Sequence, residues 1–150
     1  MIKRTLLAAV AASSLFAVPA LARPMTATDM HMMHRLSAPE VSPDGRWAVF
    51  TISDTDLAKN KRNNTLYLLD LKANGAAPQP VKGAEKGHDA VFAKDGSIWF
   101  LNDVEGQDQL FRMVPGQAPV QVSNLSGDIG GFKIAPSGDR LVIWADRDLR

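Results

Sequence analysis

Val41-Ser42-Pro43-Asp44-Gly45-Arg46-Trp47-Ala48-Val49-Phe50 reads as the end of one strand, a tight turn and the start of the next. Pro43 suits the second position of a type I turn, and Gly45 supplies the positive φ that closes it into a bulged hairpin. The run over 47–52 is apolar on both faces, with Trp47 and Val49 on one side and Ala48, Phe50 and Ile52 on the other. A strand apolar on both faces must be covered on both. Two further copies follow, Val91-Phe92-Ala93-Lys94-Asp95-Gly96-Ser97-Ile98-Trp99-Phe100 and Ile134-Ala135-Pro136-Ser137-Gly138-Asp139-Arg140-Leu141-Val142-Ile143-Trp144. Gly45, Gly96 and Gly138 lie 51 and 42 residues apart, a period of the kind that solenoids and propellers show.

Each repeat continues in the same way. A third strand is expected over 65–71 in the first repeat and 109–114 in the second, and a short fourth over 79–82 and 120–123. Pro80 and Pro119 mark the fourth as an outer edge, because proline is confined to edges and strand starts. Four antiparallel strands ending on an edge make one propeller blade. The expected fold is therefore all-β: a partial β-propeller of about two and a half four-stranded antiparallel blades, at 38–84, 87–125 and 129–150 (partial), preceded by a short helix. A closed propeller needs at least four blades. The ring is expected to be incomplete, with an apolar face and an unpaired edge exposed at 141–144 and aggregation as the consequence.

The segment before the repeats splits in two. Residues 1–22 read as a secretory signal: Lys3 and Arg4 precede an uncharged apolar stretch over 6–18, and Ala20-Leu21-Ala22 offers a small-x-small cleavage site. That stretch falls short of the roughly 20 residues a bilayer span needs. The expectation is an exported, periplasmic or secreted chain cleaved after Ala22, with no membrane attachment afterwards and, having no Cys, no disulfide. In residues 23–37 a short helix is expected, with Thr26 as N-cap and Asp29 as the acidic partner of a capping box. Met30, Met33 and Leu36 would give it a narrow apolar stripe, and Ser37-Ala38-Pro39 would end it.

Little else points to chemistry. Loss of Lys3 and Arg4 takes the formal charge from +1 to about −1, which argues against a nucleic-acid partner. No Gly-x-Ser-x-Gly nucleophile elbow is present, and His31, His34 and His88 stand outside any triad context, so no catalytic residue is assigned. His31 and His34 lie among Met25, Met30, Met32 and Met33, donors that suit copper; with no Asp, Glu or Cys nearby that completes a first shell, the favoured reading packs Met30 and Met33 inward and leaves both histidines on the open helix face, and no metal or other cofactor is assigned. Gly127-Asp128-Ile129-Gly130-Gly131 precedes a strand, not a helix, and reads as an inter-blade loop rather than a phosphate cradle. Gly87-His88 is a WD40-like pair, but no Trp-Asp follows it. The polar stretch 53–64, with Lys59, Lys61 and Arg62, reads as a solvated loop tip. Trp47, Trp99 and Trp144 read as equivalent blade-to-blade packing positions rather than as a sugar platform.

Thr26-Ala27-Thr28-Asp29-Met30, followed by Arg35-Leu36-Ser37-Ala38-Pro39-Glu40-Val41-Ser42-Pro43-Asp44-Gly45-Arg46-Trp47-Ala48-Val49-Phe50, resembles the N-terminus of prolyl oligopeptidase-family (S9) serine peptidases. The likeness is greatest to exported dipeptidyl-peptidase and acylaminoacyl-peptidase-like members. It implies a propeller that gates peptide substrates to an α/β-hydrolase domain following it in sequence. The Ser, Asp and His of the triad would all lie in that later domain, so the implied partners are that domain, the remaining blades and peptides. A TolB-like periplasmic scaffold that binds other proteins is the alternative; repeats continuing without a nucleophile elbow would favour it.

Overall fold

The computed structural model describes residues 23–145. The expected signal segment, its cleavage site and the last five residues lie outside them. Helix α1 (Ala27–His31) opens the chain, and β1 (Arg35–Leu36), β2 (Glu40–Val41), β3 (Trp47–Asp56), β4 (Lys61–Asp70) and β5 (Gln79–Pro80) form the first antiparallel sheet. β6 (His88–Phe92), β7 (Ile98–Val104), β8 (Gln107–Met113) and β9 (Val120–Gln121) form the second in simple meander order, and β10 (Ile129–Ile134) pairs with β11 (Leu141–Ala145) in the third. This is an open series of antiparallel blades, as the repeat required.

The three repeated turns share one geometry. Gly45 N–H donates to Ser42 O, Gly96 N–H to Ala93 O and Gly138 N–H to Ala135 O, at 2.9, 3.0 and 2.8 Å. Each glycine has φ between +65° and +81°, where a side chain would strain the backbone. In the first two turns an aspartate locks the exit: Arg46 N–H donates to Asp44 and Ser97 N–H to Asp95, both at 3.0 Å.

Alternation along the second strand of each blade builds the core. Ile98 and Phe100 of β7 point into a cluster with Val49, Leu66, Val81, Ala84, Phe111 and Met113, which joins the first blade to the second. Phe100 stacks on Phe111 across the β7–β8 ladder, with ring centroids 5.7 Å apart. The intervening residues, Trp99 and Leu101, join Leu110, Ile129, Phe132, Leu141 and Ile143 in a second cluster, which joins the second blade to the third. On β11 the same alternation leaves Val142 63% and Trp144 48% exposed.

Several local expectations need correction. Residues 53–64 are not a loop: β3 and β4 stay paired out to Asp56 and Lys61, and only 57–60 turn. A cross-strand pair supports the extension, with Ser53 donating to Asn64 at 2.7 Å, and the turn is closed by the local pair of Lys59 and Asp56 at 3.4 Å. The capping box forms at Thr26 and Asp29, but the helix stops at His31, because Arg35 and Leu36 are drawn into the sheet opposite Ser53 and Ile52. A helix of five residues has little stability of its own to resist that. Met30, Met33 and Leu36 are consequently exposed instead of forming a buried stripe. The outer strands β5 and β9 are two residues each, although Val81 and Val122 N–H groups extend the contact to Leu66 O and Leu110 O, both at 2.8 Å.

Candidate functional site

The first strand of every blade carries one residue too many, two ladder pairs from the turn in the first two blades and four in the third. Between the pairs Leu36↔Ile52 and Glu40↔Val49 the inner strand advances by four residues while its partner advances by three. Between His88↔Leu101 and Val91↔Trp99 the advance is three against two, and between Ile129↔Ala145 and Gly131↔Trp144 it is two against one. One extra residue in one strand is a β-bulge, a device that re-aims side chains and recurs at rims and beside binding sites. Residues at or beside the three bulges line one cleft of about 380 Å³, whose wall includes Glu40, Asp89, Ala90, Gly130, Gly131 and Trp144.

A different local cause produces each bulge. In the first blade Pro39 has no N–H for the ladder, and Ser37 replaces the missing bonding by donating its N–H to Thr51 O at 2.9 Å and accepting from Thr51 N–H through Oγ at 2.8 Å. Thr51, itself buried, donates its hydroxyl to Gly87 O at 3.3 Å and so ties this bulge to the entry of the second blade. In the second blade Asp89 adopts φ +52°, a left-handed conformation that Asp tolerates better than most residues. In the third the glycine pair makes room for an indole. A Cβ on Gly131 would sit 2.1 Å from Trp144 Cζ2, and one on Gly130 would sit 3.2 Å from Trp144 Cδ1. Gly130 and Gly131 therefore belong to β10 and seat Trp144; they are not an inter-blade loop.

The lining is acidic. Glu40 and Asp89 face the cleft, and among the described residues no lysine or arginine lines it. Behind Asp89, His88 lies between two carboxylates, with Nδ1 3.3 Å from Asp89 and Nε2 3.0 Å from Asp108. A neutral imidazole can donate to only one of them. Asp108 N–H in turn donates to Asp128 at 2.6 Å, which connects this group to the linker entering the third blade. Nearby, Lys86 pairs with Asp103 at 2.6 Å; that bond is the largest cause holding the Asp103 carboxyl below its usual range.

His34 contacts Asp54, His88 contacts Asp89 and Asp108, and among the described residues no serine or threonine hydroxyl bonds to a histidine, so a nucleophile–base pair is not formed here. Gly87 has no room for a side chain, since a Cβ would lie 3.0 Å from that of Leu66; it serves the junction between blades. The three tryptophans are not equivalent: Trp47 opens β3, Trp99 is second in β7 and Trp144 fourth in β11. Arg46 lies over Trp47 at 5.0 Å and Arg112 over Trp99 at 5.8 Å, so guanidinium groups occupy faces that a sugar platform would need open. Lys59, Lys61 and Arg62 belong to the extended hairpin.

Sequence reading missed the bulged wall. Pro39 and the Gly130-Gly131 pair were visible signals for two of its members, since Pro and Gly inside a strand mark such irregularities. Nothing in sequence distinguished Asp89.

No family model matches the chain. It is 28% identical over 124 residues to dipeptidyl-peptidase 5 of Porphyromonas endodontalis, covering 81% of this chain and 18% of that protein. It is also 34% identical over 107 residues to transducin beta-like protein 2 of Homo sapiens, covering 68% of this chain and 22% of that protein. The chain thus spans about a fifth of the length of the curated relatives it matches. Among solved structures it is similar to the acylaminoacyl peptidase of Pyrococcus horikoshii, with a TM-score of 0.61 and 16% identity over 76% of this chain and 17% of that one. The β-propeller domain of the Trilobed protease from Pyrococcus furiosus, which has an open velcro topology, aligns with a TM-score of 0.53 and 17% identity over 73% of this chain and 33% of that domain.

Proposed function

We propose, from the premise that this chain is the N-terminal propeller portion of a prolyl oligopeptidase-family (S9) peptidase, that its bulged inner wall meters peptide access to a catalytic domain encoded further along. The observation that carries this reading is the coincidence of three bulges on the inner strands of consecutive blades. Bulges there present backbone groups and the carboxylates of Glu40 and Asp89 to whatever passes. An acidic wall attracts the ammonium group and basic side chains of an extended peptide. The chemistry downstream is acyl transfer to a serine followed by hydrolysis, with histidine as base and backbone amides stabilising the oxyanion. Residues 1–22 direct export to the periplasm or beyond, and cleavage after Ala22 leaves Arg23 first.

The complete gene product provides the test. A fluorophosphonate should label it at one serine outside residues 1–150, and Glu40→Gln with Asp89→Asn should raise KM for basic and free-amine peptides while leaving hydrolysis of a small neutral ester unchanged. Equal effects on both substrates would remove the gating role. Absence of labelling would leave the second reading, a TolB-like periplasmic scaffold for protein binding. That reading draws its support from the likeness to transducin beta-like protein 2, whose name is not a peptidase's.

A further inference from the structure

Four of the six methionines, Met25, Met30, Met32 and Met33, fall within nine residues, with His31 among them and His34 directly after. Methionine ordinarily packs inward, yet these four are 66%, 57%, 62% and 52% exposed. The cause is the early end of α1: its last residue is His31, and the chain after it runs to β1 over the edge of the first blade. Among the described residues nothing covers these thioethers.

The second observation is what holds His34. Its Nδ1 contacts the carboxylate of Asp54, which β3 brings alongside from twenty residues away. Asp54 is the acidic neighbour that the sequence did not reveal. A carboxylate on one ring nitrogen fixes the tautomer and the orientation of the imidazole and makes the other nitrogen a better donor to a metal. The His34 ring is 78% exposed, and its Nε2 has no protein partner among the described residues. No group of three or more His, Cys, Asp or Glu is placed to hold a metal among the described residues, so a hard-ion or zinc-type site is not indicated. Thioethers with an imidazole select a soft ion, and the chain has no Cys to compete for it.

We propose that Met30, Met32, Met33 and His34 Nε2 bind one Cu(I), with Asp54 as the positioning residue. The donors sit within five consecutive residues, and the three rotatable bonds of each methionine let the sulfurs converge without backbone strain. The site lies apart from the bulged cleft and does not depend on the peptidase reading.

Anaerobic titration of the full chain with Cu(I) against a chromogenic Cu(I) chelator tests this. One equivalent should move to the protein, and Zn(II) should not displace it. In methyl-labelled protein the Met30, Met32 and Met33 resonances should shift, while that of Met113, 4% exposed in the core, stays in place. His34→Gln and the triple change Met30→Leu, Met32→Leu, Met33→Leu should each abolish transfer. Asp54→Asn should weaken affinity about tenfold to a hundredfold, and Asp54→Glu should restore it. Failure of the unaltered protein to take Cu(I) from the chelator would overturn the proposal, whatever the variants do. Undiminished binding by the triple Leu variant would also overturn it and leave the methionines as an apolar contact surface.

Discussion

The junction between the first two blades and the junction between the second and third follow the same alternation but reach different depths. In the first, eight side chains are buried together, among them Leu66, Ile98 and Phe100 with no exposed surface. The linker residues Val81 and Ala84 also cross over it, and Gly87 packs beneath them. In the second, Leu101, Leu110 and Ile129 are the buried members among the described residues, and Trp99, Phe132, Leu141 and Ile143 remain half-exposed. The third sheet is described over two strands, β10 and β11.

That contrast can be broken by truncation. Phe100→Ala removes the stacked ring at the centre of the first junction and should cost about 3–5 kcal/mol, read as a fall in the urea midpoint. Ile129→Ala in the second should cost less, about 2–3 kcal/mol, because the half-exposed side chains around it can collapse into the gap. Equal losses would mean that the two junctions are equally closed in solution. A smaller effect sharpens the picture of the inner wall: Gly131→Ala drives a methyl into the Trp144 ring and should cost about 1–3 kcal/mol, detected as a displaced indole fluorescence maximum.

The smallest effects belong to the turn-facing side of the blades. Arg46 pairs with Asp70 and lies over Trp47; Arg112 pairs with Asp95 and lies over Trp99. The roles are exchanged between blades, with arginine in the turn of the first and aspartate in the turn of the second. Hydrogen bonds from Arg46, then Lys72 N–H, hold the Asp70 carboxyl below its ordinary range; for Asp95 the hydroxyl and N–H of Ser97 come first, then Arg112. A depressed folded-state pKa stabilises the fold above the unfolded value, near 3.9, and that contribution is lost as pH falls from there through the folded value. The urea midpoint should therefore drop on acidification below about pH 4, and Asp95→Asn should flatten that drop while changing little at neutral pH. An unchanged acid profile in the variant would show that Asp95 contributes nothing to it.

Much of the fold was legible because propeller turns are written in residues with few alternatives. Gly45, Gly96 and Gly138 need positive φ, and Pro80 marks an outer strand. Helix length was not legible, since the pull of β3 on Arg35 and Leu36 is a long-range effect. The extension of β3 and β4 was missed for the same reason: Ser53 and Asn64 look polar and loop-like until they face one another. The wall was only half legible. Glycine and proline announce irregular strands, but the left-handed Asp89 and the contact of Asp54 with His34 depend on neighbours far along the chain.

Sequencing the gene beyond codon 150 is the most direct test. The account predicts further blades and then a Gly-x-Ser-x-Gly on a strand–turn–helix, followed by an Asp and a His. Propeller repeats running to the stop codon with no such elbow would contradict it.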